Sequence, residues 1–562
     1  MTLGRWRRVD YQGWCSVPAV SVKLWDLERL VGRSIDVEEL RKLSDFLKLE
    51  FEEVRGDSIT FEAPHDRLDL YSAEGLARAL ALLLGLRKPS TYPVSWSSIY
   101  VDSREAPRYR PYVMVAIVRD VKLDDEAISQ LFQLQEKLHL THCGNREIVS
   151  IGLYDLDTLK PPIYYRAVPT VEFRPLGHST SMSAETILEV TEKGRLYGHL
   201  VRRGEYPLLV DSAGTVLSLP PIINSEDTRV TERSRNILID VTGTEPRLMA
   251  SVLATVALAV YERGGNVIEV ARVVGREELG ELLFGTLVGR EVVVSLRRAE
   301  NLIGVSLDLS KVAECLERHG YGVLEVTEHY VKVWVPPYRV DVMDEDDVVE
   351  DIAISMDYNT ISGQLEVPVA RGTVHPLERV TKFIREVLVG MGFTEVVNFM
   401  LTDPDYLTSL GYVRFAEIEN PKMRTYSVLR PSLLPSVLGS VSKNVKKYGL
   451  QDLKVFEAGD AVDPGSLTST RRVSGAIYGP GVTLTDSLAT VRTLLETIGL
   501  KPSFEPLDDI PVAIPGRAAK VVVKGVTVGY VGEAHPRVLK LLELRAPLAF
   551  FEILVNDLLK AL

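Results

Sequence analysis

Cysteine is scarce: Cys15, Cys143 and Cys315 are the three in 562 residues. They are odd in number and far apart, which leaves neither a disulfide framework nor a Cys-x-x-Cys zinc site, and a reducing cytoplasm fits that usage. No apolar run reaches the roughly eighteen residues of a membrane span, and no signal-peptide core follows the early arginines, so neither a membrane anchor nor secretion is expected. Several catalytic signatures are missing: there is no Walker-type phosphate loop, no Gly-x-Ser-x-Gly elbow and no His-Glu-x-x-His pair. Positive charge is in deficit, with 65 Lys and Arg against 77 Asp and Glu and a net charge of −12. That excludes a chain-wide surface for nucleic acid, whose affinity comes mainly from clustered cations. Local basic stretches exist at Arg5, Arg7 and Arg8 and at Lys443, Lys446 and Lys447, patterns that are more often solvated faces.

Apolar residues are plentiful, at 46% of the chain. On a prior of about 150 residues per domain the length predicts three or four domains. Residues 1–16 lack periodicity and are expected to be a disordered extension. An α+β domain is expected over 17–90, with a helix over 73–86 whose apolar face carries Leu76, Leu80, Leu83 and Leu84. Residues 88–98, rich in Pro and Ser, read as a linker. A mixed-sheet domain is expected over 99–274, a small α+β domain over 283–364 and a larger α+β sheet domain over 372–562. In the last, strands are predicted near 396–400, 455–457 and 521–523.

Two places concentrate polar chemistry. Between Asp341 and Asp351, seven of eleven residues are acidic. If Asp344 opens a helix, Asp347, Glu350 and Asp351 share one face and Val348, Val349, Ile352, Ala353 and Met356 the other. Asp341 then folds back to complete a four-carboxylate site suited to magnesium, or the cluster is simply a solvated acidic face. The second place is the predicted strand 236–243, where Asp240 and Thr242 point to one side. Beside the loop 220–229 they read either as a pocket floor or as caps on backbone groups. The hairpin 207–219 turns at Asp211-Ser212-Ala213-Gly214, and Thr244 is the expected cap of the helix that follows. His139, His142 and Cys143 are a weaker metal candidate, since such ligands in a polar turn usually face water.

Several segments carry a resemblance. Val335-Pro336-Pro337-Tyr338-Arg339-Val340-Asp341, followed by the acids to Asp351 and Tyr358-Asn359-Thr360-Ile361, resembles the acidic signature of the phenylalanyl-tRNA synthetase beta subunit. Glu74-Gly75-Leu76-Ala77-Arg78, Tyr154-Asp155-Leu156-Asp157, Pro220-Pro221-Ile222-Ile223-Asn224-Ser225-Glu226-Asp227-Thr228, Leu429-Arg430-Pro431 and Gly532-Glu533-Ala534-His535-Pro536 are similar too. The form resembled is the shorter archaeal and eukaryotic one. Members often open Met-Pro-x-Val, so Val17 is the expected true start. His65-Asp66-Arg67-Leu68-Asp69 departs from the family's Asn-Arg-Pro-Asp wording.

The resemblance implies a multidomain α+β chain: a mixed-sheet editing domain, a small acidic metal-site domain and a C-terminal degenerate class II synthetase-like domain. It implies an (αβ)2 tetramer in the cytoplasm that joins phenylalanine to its tRNA with ATP, which the α subunit binds. It implies magnesium at Asp341, Asp347, Glu350 and Asp351, shared with α. For the middle domain it implies hydrolysis of Tyr-tRNA in a pocket formed by Ser218, Arg229, Asp240 and Thr242. The rivals are a free-standing tRNA-editing or RNA-binding protein and an independent carboxylate-metal phosphotransferase or hydrolase.

Overall fold

The computed structural model describes residues 19–363 and 372–562, so the expected extension 1–16 and the start at Val17 lie outside the described residues. The chain divides into two compact units, Met1–Gln364 and Leu365–Leu562. No helix among the described residues is long and apolar enough to cross a membrane.

The first unit begins with an antiparallel sheet of β1 (Ala19–Lys23), β2 (Glu50–Arg55) and β3 (Ser58–Glu62) in the order β1-β3-β2. The helix Ala73–Leu83 follows, capped by Ser72, whose hydroxyl accepts from the Gly75 N–H, and every residue of it is buried. It ends three residues before the predicted boundary, and Gly85 takes the left-handed φ of +68° that lets the chain turn away. Its two charged residues are buried with partners: Arg263 donates to Glu74 at 2.6 Å and to Asp26 at 2.8 Å, and Arg78 reaches Asp69 and Glu262. Burying these ions in pairs avoids the penalty of an isolated buried charge and ties the first sheet to the next.

The centre of the unit is a nine-stranded mixed sheet. Its strands are β4 (Val94–Asp102), β5 (Tyr112–Arg119), β6 (Val149–Asp155), β7 (Ile163–Val168), β10 (Tyr206–Asp211), β11 (Val216–Leu219), β12 (Ile223–Asn224), β13 (Ile237–Gly243) and β14 (Val267–Val274), with a side pair of β8 (Glu172–Phe173) and β9 (Met182–Ser183). The order is β12-β11-β10-β7-β4-β14-β5-β13-β6. The predicted linker 88–98 is therefore shorter than expected. Val94 already opens β4, whose alternation is masked by three serines among its outward and inward positions, and Trp96 stacks on Phe284 at 4.8 Å. The helix Pro246–Tyr261 covers one face of the sheet; its N-cap position is Glu245, one residue beyond the expected Thr244, with Pro246 at the first helical position.

A smaller sheet, β15 (Arg290–Ser295), β16 (Gly322–Val326) and β17 (Tyr330–Val335) in the order β15-β17-β16, packs against the acidic helix Glu345–Ser355 through Val348, Val349 and Ile352. The second unit holds a seven-stranded sheet in the order Thr394–Glu395, Leu453–Val462, Ser469–Tyr478, Leu548–Leu554, Val526–Ala534, Ala513–Val523 and Ser503–Pro506. Residues 396–400, predicted as strand, lie between two short strands, and Val397 and Phe399 are 89% and 75% exposed. Their apolar alternation faces solvent instead of a core.

Candidate functional site

In the central sheet β13 lies between β5 and β6. The register sets Asp240 opposite Gly152 and Thr242 opposite Ser150. Because side chains alternate along a strand, Asp240 and Thr242 share a face with Ser150, Gly152 and Tyr154. The hairpin of β10 and β11 brings Ser218 to the same place; Gly214 in its turn has φ of +88°, and Asp211 accepts from the Ala213 and Thr215 N–H groups. A cavity of about 280 Å³ opens there, floored by Asp240, Gly152 and Ser218 and walled by Pro220, Pro221 and Arg146.

Asp240 is 2% exposed, and its Oδ1 accepts from the Tyr154 hydroxyl at 2.6 Å. The same hydroxyl lies 2.8 Å from Ser218 Oγ. Burial pushes the Asp240 carboxyl up to about 7, against the opposing pull of the Tyr154 hydroxyl and the Arg110 guanidinium. Thr242 is one layer further in. Its hydroxyl meets Ser150 Oγ at 2.9 Å and accepts from Arg110 Nε at 3.0 Å, while its carbonyl accepts from Arg110 Nη2 at 2.7 Å. Thr242 thus supports the floor through Ser150, which lines the cavity.

Arg229 stands apart from the other three. It is paired with Glu226 at 3.3 Å, its side chain is 56% exposed, and it does not line the cavity. The cations at the mouth are Arg146 and Lys193, which hold Glu136 at 2.6 Å and 3.0 Å. Burial would raise the Glu136 carboxyl, but His139, Arg146 and Lys193 together hold it well below the usual range. Arg146 also donates to the Pro221 and Ile222 carbonyls, fixing the loop that forms one wall. The sequence names Tyr154 only as the start of the resembling segment Tyr154-Asp155-Leu156-Asp157, with no role, and does not mark Arg146; the available signal is the alternation of Ser150, Gly152 and Tyr154 along β6.

His139, His142 and Cys143 do not gather. His139 Nε2 accepts from the Ile151 N–H at 2.9 Å, and burial holds its pKa down to about 4. Cys143 is buried, which pushes its thiol up to about 12.

The acidic segment folds as the sequence predicts locally but not as a four-carboxylate site. Asp344 caps the helix, and Asp347 Oδ2 accepts from the Met343 and Asp344 N–H groups at 2.6 Å and 2.9 Å. Asp351 is buried rather than solvated, and Arg339 lies between it and Asp341 at 2.6 Å and 2.7 Å. Glu350 is exposed and paired with Lys48 at 3.2 Å. Among the described residues no three His, Cys, Asp or Glu side chains come together as metal ligands. An arginine occupies the position between Asp341 and Asp351 where a cation was expected, so the four acids of this chain do not fit magnesium by themselves.

In the second unit, Arg430 is 3% exposed; it donates to Glu457 at 2.7 Å and to the Asp460 carbonyl at 2.9 Å. The fully buried Glu552 accepts from Ser432 Oγ at 2.8 Å and from the Leu433 N–H at 3.0 Å.

Three family models match the chain in succession: the B3/4 domain at residues 115–276, the tRNA synthetase B5 domain at 292–358 and the phenylalanyl tRNA synthetase beta chain CLM domain at 364–555. The phenylalanine–tRNA ligase beta subunit of Thermofilum pendens is 40% identical over 554 residues, covering 97% of this chain and 98% of that protein. The chain belongs to the phenylalanine–tRNA ligase beta subunit family. The beta subunit of Pyrococcus furiosus is 39% identical, covering 96% of this chain and 100% of its own. An N-terminal fragment of the phenylalanyl-tRNA synthetase beta subunit from Pyrococcus horikoshii, solved as a crystal structure, superposes with a TM-score of 0.55 at 39% identity, covering 61% of this chain and 100% of the fragment. In family terms the cavity lies in the B3/4 domain, and the Arg339 cluster lies within the B5 domain.

Proposed function

We propose that this beta subunit acts with an α subunit, in an (αβ)2 tetramer of the cytoplasm, to join phenylalanine to its tRNA with ATP, and that its own cavity hydrolyses Tyr-tRNA. The observation that carries the editing reading is Asp240, a carboxylate buried on the floor of a cavity of about 280 Å³. Tyrosine differs from phenylalanine by one hydroxyl. An apolar pocket rejects an added hydroxyl by only about a hundredfold, whereas a pocket built to bond that hydroxyl rejects the analogue lacking it by about 10⁴ or more. A second, polar sieve is therefore the physically sensible place for discrimination.

In this reading Asp240 accepts the phenolic proton, and Ser218 and Thr242 complete and support the hydrogen bonding. Arg229, exposed and outside the cavity lining, meets the tRNA rather than the amino acid. The chemistry at the ester is left to water held near the substrate, with no side chain of the chain assigned as its base. Deacylation of Tyr-tRNA by the αβ complex, compared with its Asp240→Ala variant, tests the reading; unchanged clearance removes Asp240 from the site.

The second unit reads as a degenerate class II synthetase-like domain. Arg430, of the resembling segment Leu429-Arg430-Pro431, is spent on Glu457 and the Asp460 carbonyl, which supports ATP being bound by the α subunit. Asp341 and Asp351 are committed to Arg339, Glu350 to Lys48 and Asp347 to the N–H groups that open its helix, so no step is assigned to an ion at these acids. The exposed Val397 and Phe399, the latter edge-on to Tyr426 at 5.8 Å, suit a protein partner and favour a subunit over a free-standing editing protein.

A further inference from the structure

Asp240 is not alone in the cavity floor: the hydroxyl of Tyr154 sits on its Oδ1 and on Ser218 Oγ. We propose that Tyr154 is a specificity-determining positioning residue of this cavity, pinning one oxygen of Asp240 so that the other is presented to the phenol of a bound substrate. This rests on the editing reading above.

A phenol has one proton to give. With Asp240 ionised that proton goes to Oδ1, and the Ser218 hydroxyl is left to donate to the phenol oxygen. The chain Ser218, Tyr154, Asp240 is therefore directional and ends on a carboxylate with one oxygen used. Among the described residues no other hydrogen bond reaches the Asp240 carboxyl, so Oδ2 is the acceptor available to a ligand. The pin is rigid. Tyr154 is 1% exposed and packed in the main core, and its hydroxyl passes over residue 152, where a Cβ would collide with both Tyr154 and Asp240. Glycine at 152 is what lets the two meet. A substrate phenol that arrives finds a fixed acceptor instead of a carboxylate free to rotate, which concentrates its recognition on the hydroxyl.

The pin also governs the charge of the acceptor. The groups that face Asp240 are Tyr154 from β6, Tyr165 from β7 and Arg110 ahead of β5. Of these, the Tyr154 hydroxyl and Arg110 pull the carboxyl down against burial. Removing the hydroxyl leaves burial with less opposition, so the carboxylate forms at higher pH.

The test uses the complete αβ complex and measures deacylation of preformed Tyr-tRNA across pH for wild type, Asp240→Ala, Tyr154→Phe and Ser218→Ala. The Tyr154→Phe variant keeps the ring and the core, and its melting temperature reports that it is folded. The expected result is a rise of about tenfold in KM for Tyr-tRNA, the scale of one charge-assisted hydrogen bond, with a smaller change in kcat. Its acid limb moves to higher pH, and Ser218→Ala, which frees the other end of the pin, moves the limb the same way by less. If wild type clears Tyr-tRNA and Asp240→Ala does not, while Tyr154→Phe keeps both KM and acid limb, the role of Tyr154 is overturned and the editing reading stands. If wild type does not clear Tyr-tRNA at all, both are overturned.

Discussion

Arg339 donates to Asp351 at 2.6 Å with both side chains almost fully buried. The Asp341 carboxylate meets the same nitrogen at 2.7 Å, and the Tyr321 hydroxyl donates to Asp351 at 2.5 Å. A buried guanidinium with these partners is a structural fastener, and cutting one side of it strands a charge. Arg339→Met is expected to destabilise the first unit by about 3–5 kcal/mol, whereas Glu350→Gln at the surface changes stability by less than about 1 kcal/mol. Chemical denaturation of the two variants checks this; equal small effects would remove the cluster from the fold's support.

Acid should weaken the first unit in two windows. His139 and His319 are held down to about 4 by burial, from an ordinary 6.5. The unfolded chain takes up these protons first, so their contribution is lost as pH falls from 6.5 to 4. Asp240 acts in the opposite sense there, because burial raises it to about 7 and the folded chain binds its proton first. Asp351, which Arg339 and His319 hold at about 2 against burial, is lost below 4. Asp240→Asn should therefore make the decline between pH 6.5 and 4 steeper than in wild type, measured as denaturation midpoint against pH.

Clearance of Tyr-tRNA should itself depend on pH. If the carboxylate of Asp240 accepts the phenolic proton, activity falls as pH drops below about 7, where that carboxyl takes up its own proton. Arg229→Ala, outside the cavity lining and 56% exposed, should lower clearance by less than about threefold, and Asp240→Ala by about a hundredfold or more. A larger loss from Arg229 than from Asp240 would move recognition out of the cavity.

Much of the cavity was legible in the sequence, for a local reason. Asp240 and Thr242 stand two apart in an apolar strand, and the Asp211-Ser212-Ala213-Gly214 turn places Ser218. The roles of Tyr154, named only within a resembling segment, and of Arg146 were not, because they come from cross-strand register and from a loop 75 residues away. The acidic helix was legible as a helix, down to its Asp344 cap, since capping is local. The expected convergence of Asp341, Asp347, Glu350 and Asp351 failed because other groups took them: Arg339, a near neighbour in sequence, holds Asp341 and Asp351, Asp347 caps its own helix, and Lys48, 302 residues away, pairs with Glu350. The alternation at 396–400 predicted a strand because an exposed apolar segment and a buried strand can carry the same apolar period.

The exposed segment of the second unit gives a further prediction. Val397→Asp with Phe399→Asp should leave that unit folded, since neither side chain is in its core, but prevent association with the α subunit. Size-exclusion chromatography of the mixed subunits checks it; normal complex formation would place the interface elsewhere.

The most direct test is aminoacylation by the purified chain alone and after addition of its α subunit. The chain by itself, free of any bound polypeptide, should load no phenylalanine onto tRNA, and charging should appear when α is added. Charging by the single chain would contradict the division of labour in which bond making belongs to the partner and proofreading to Asp240.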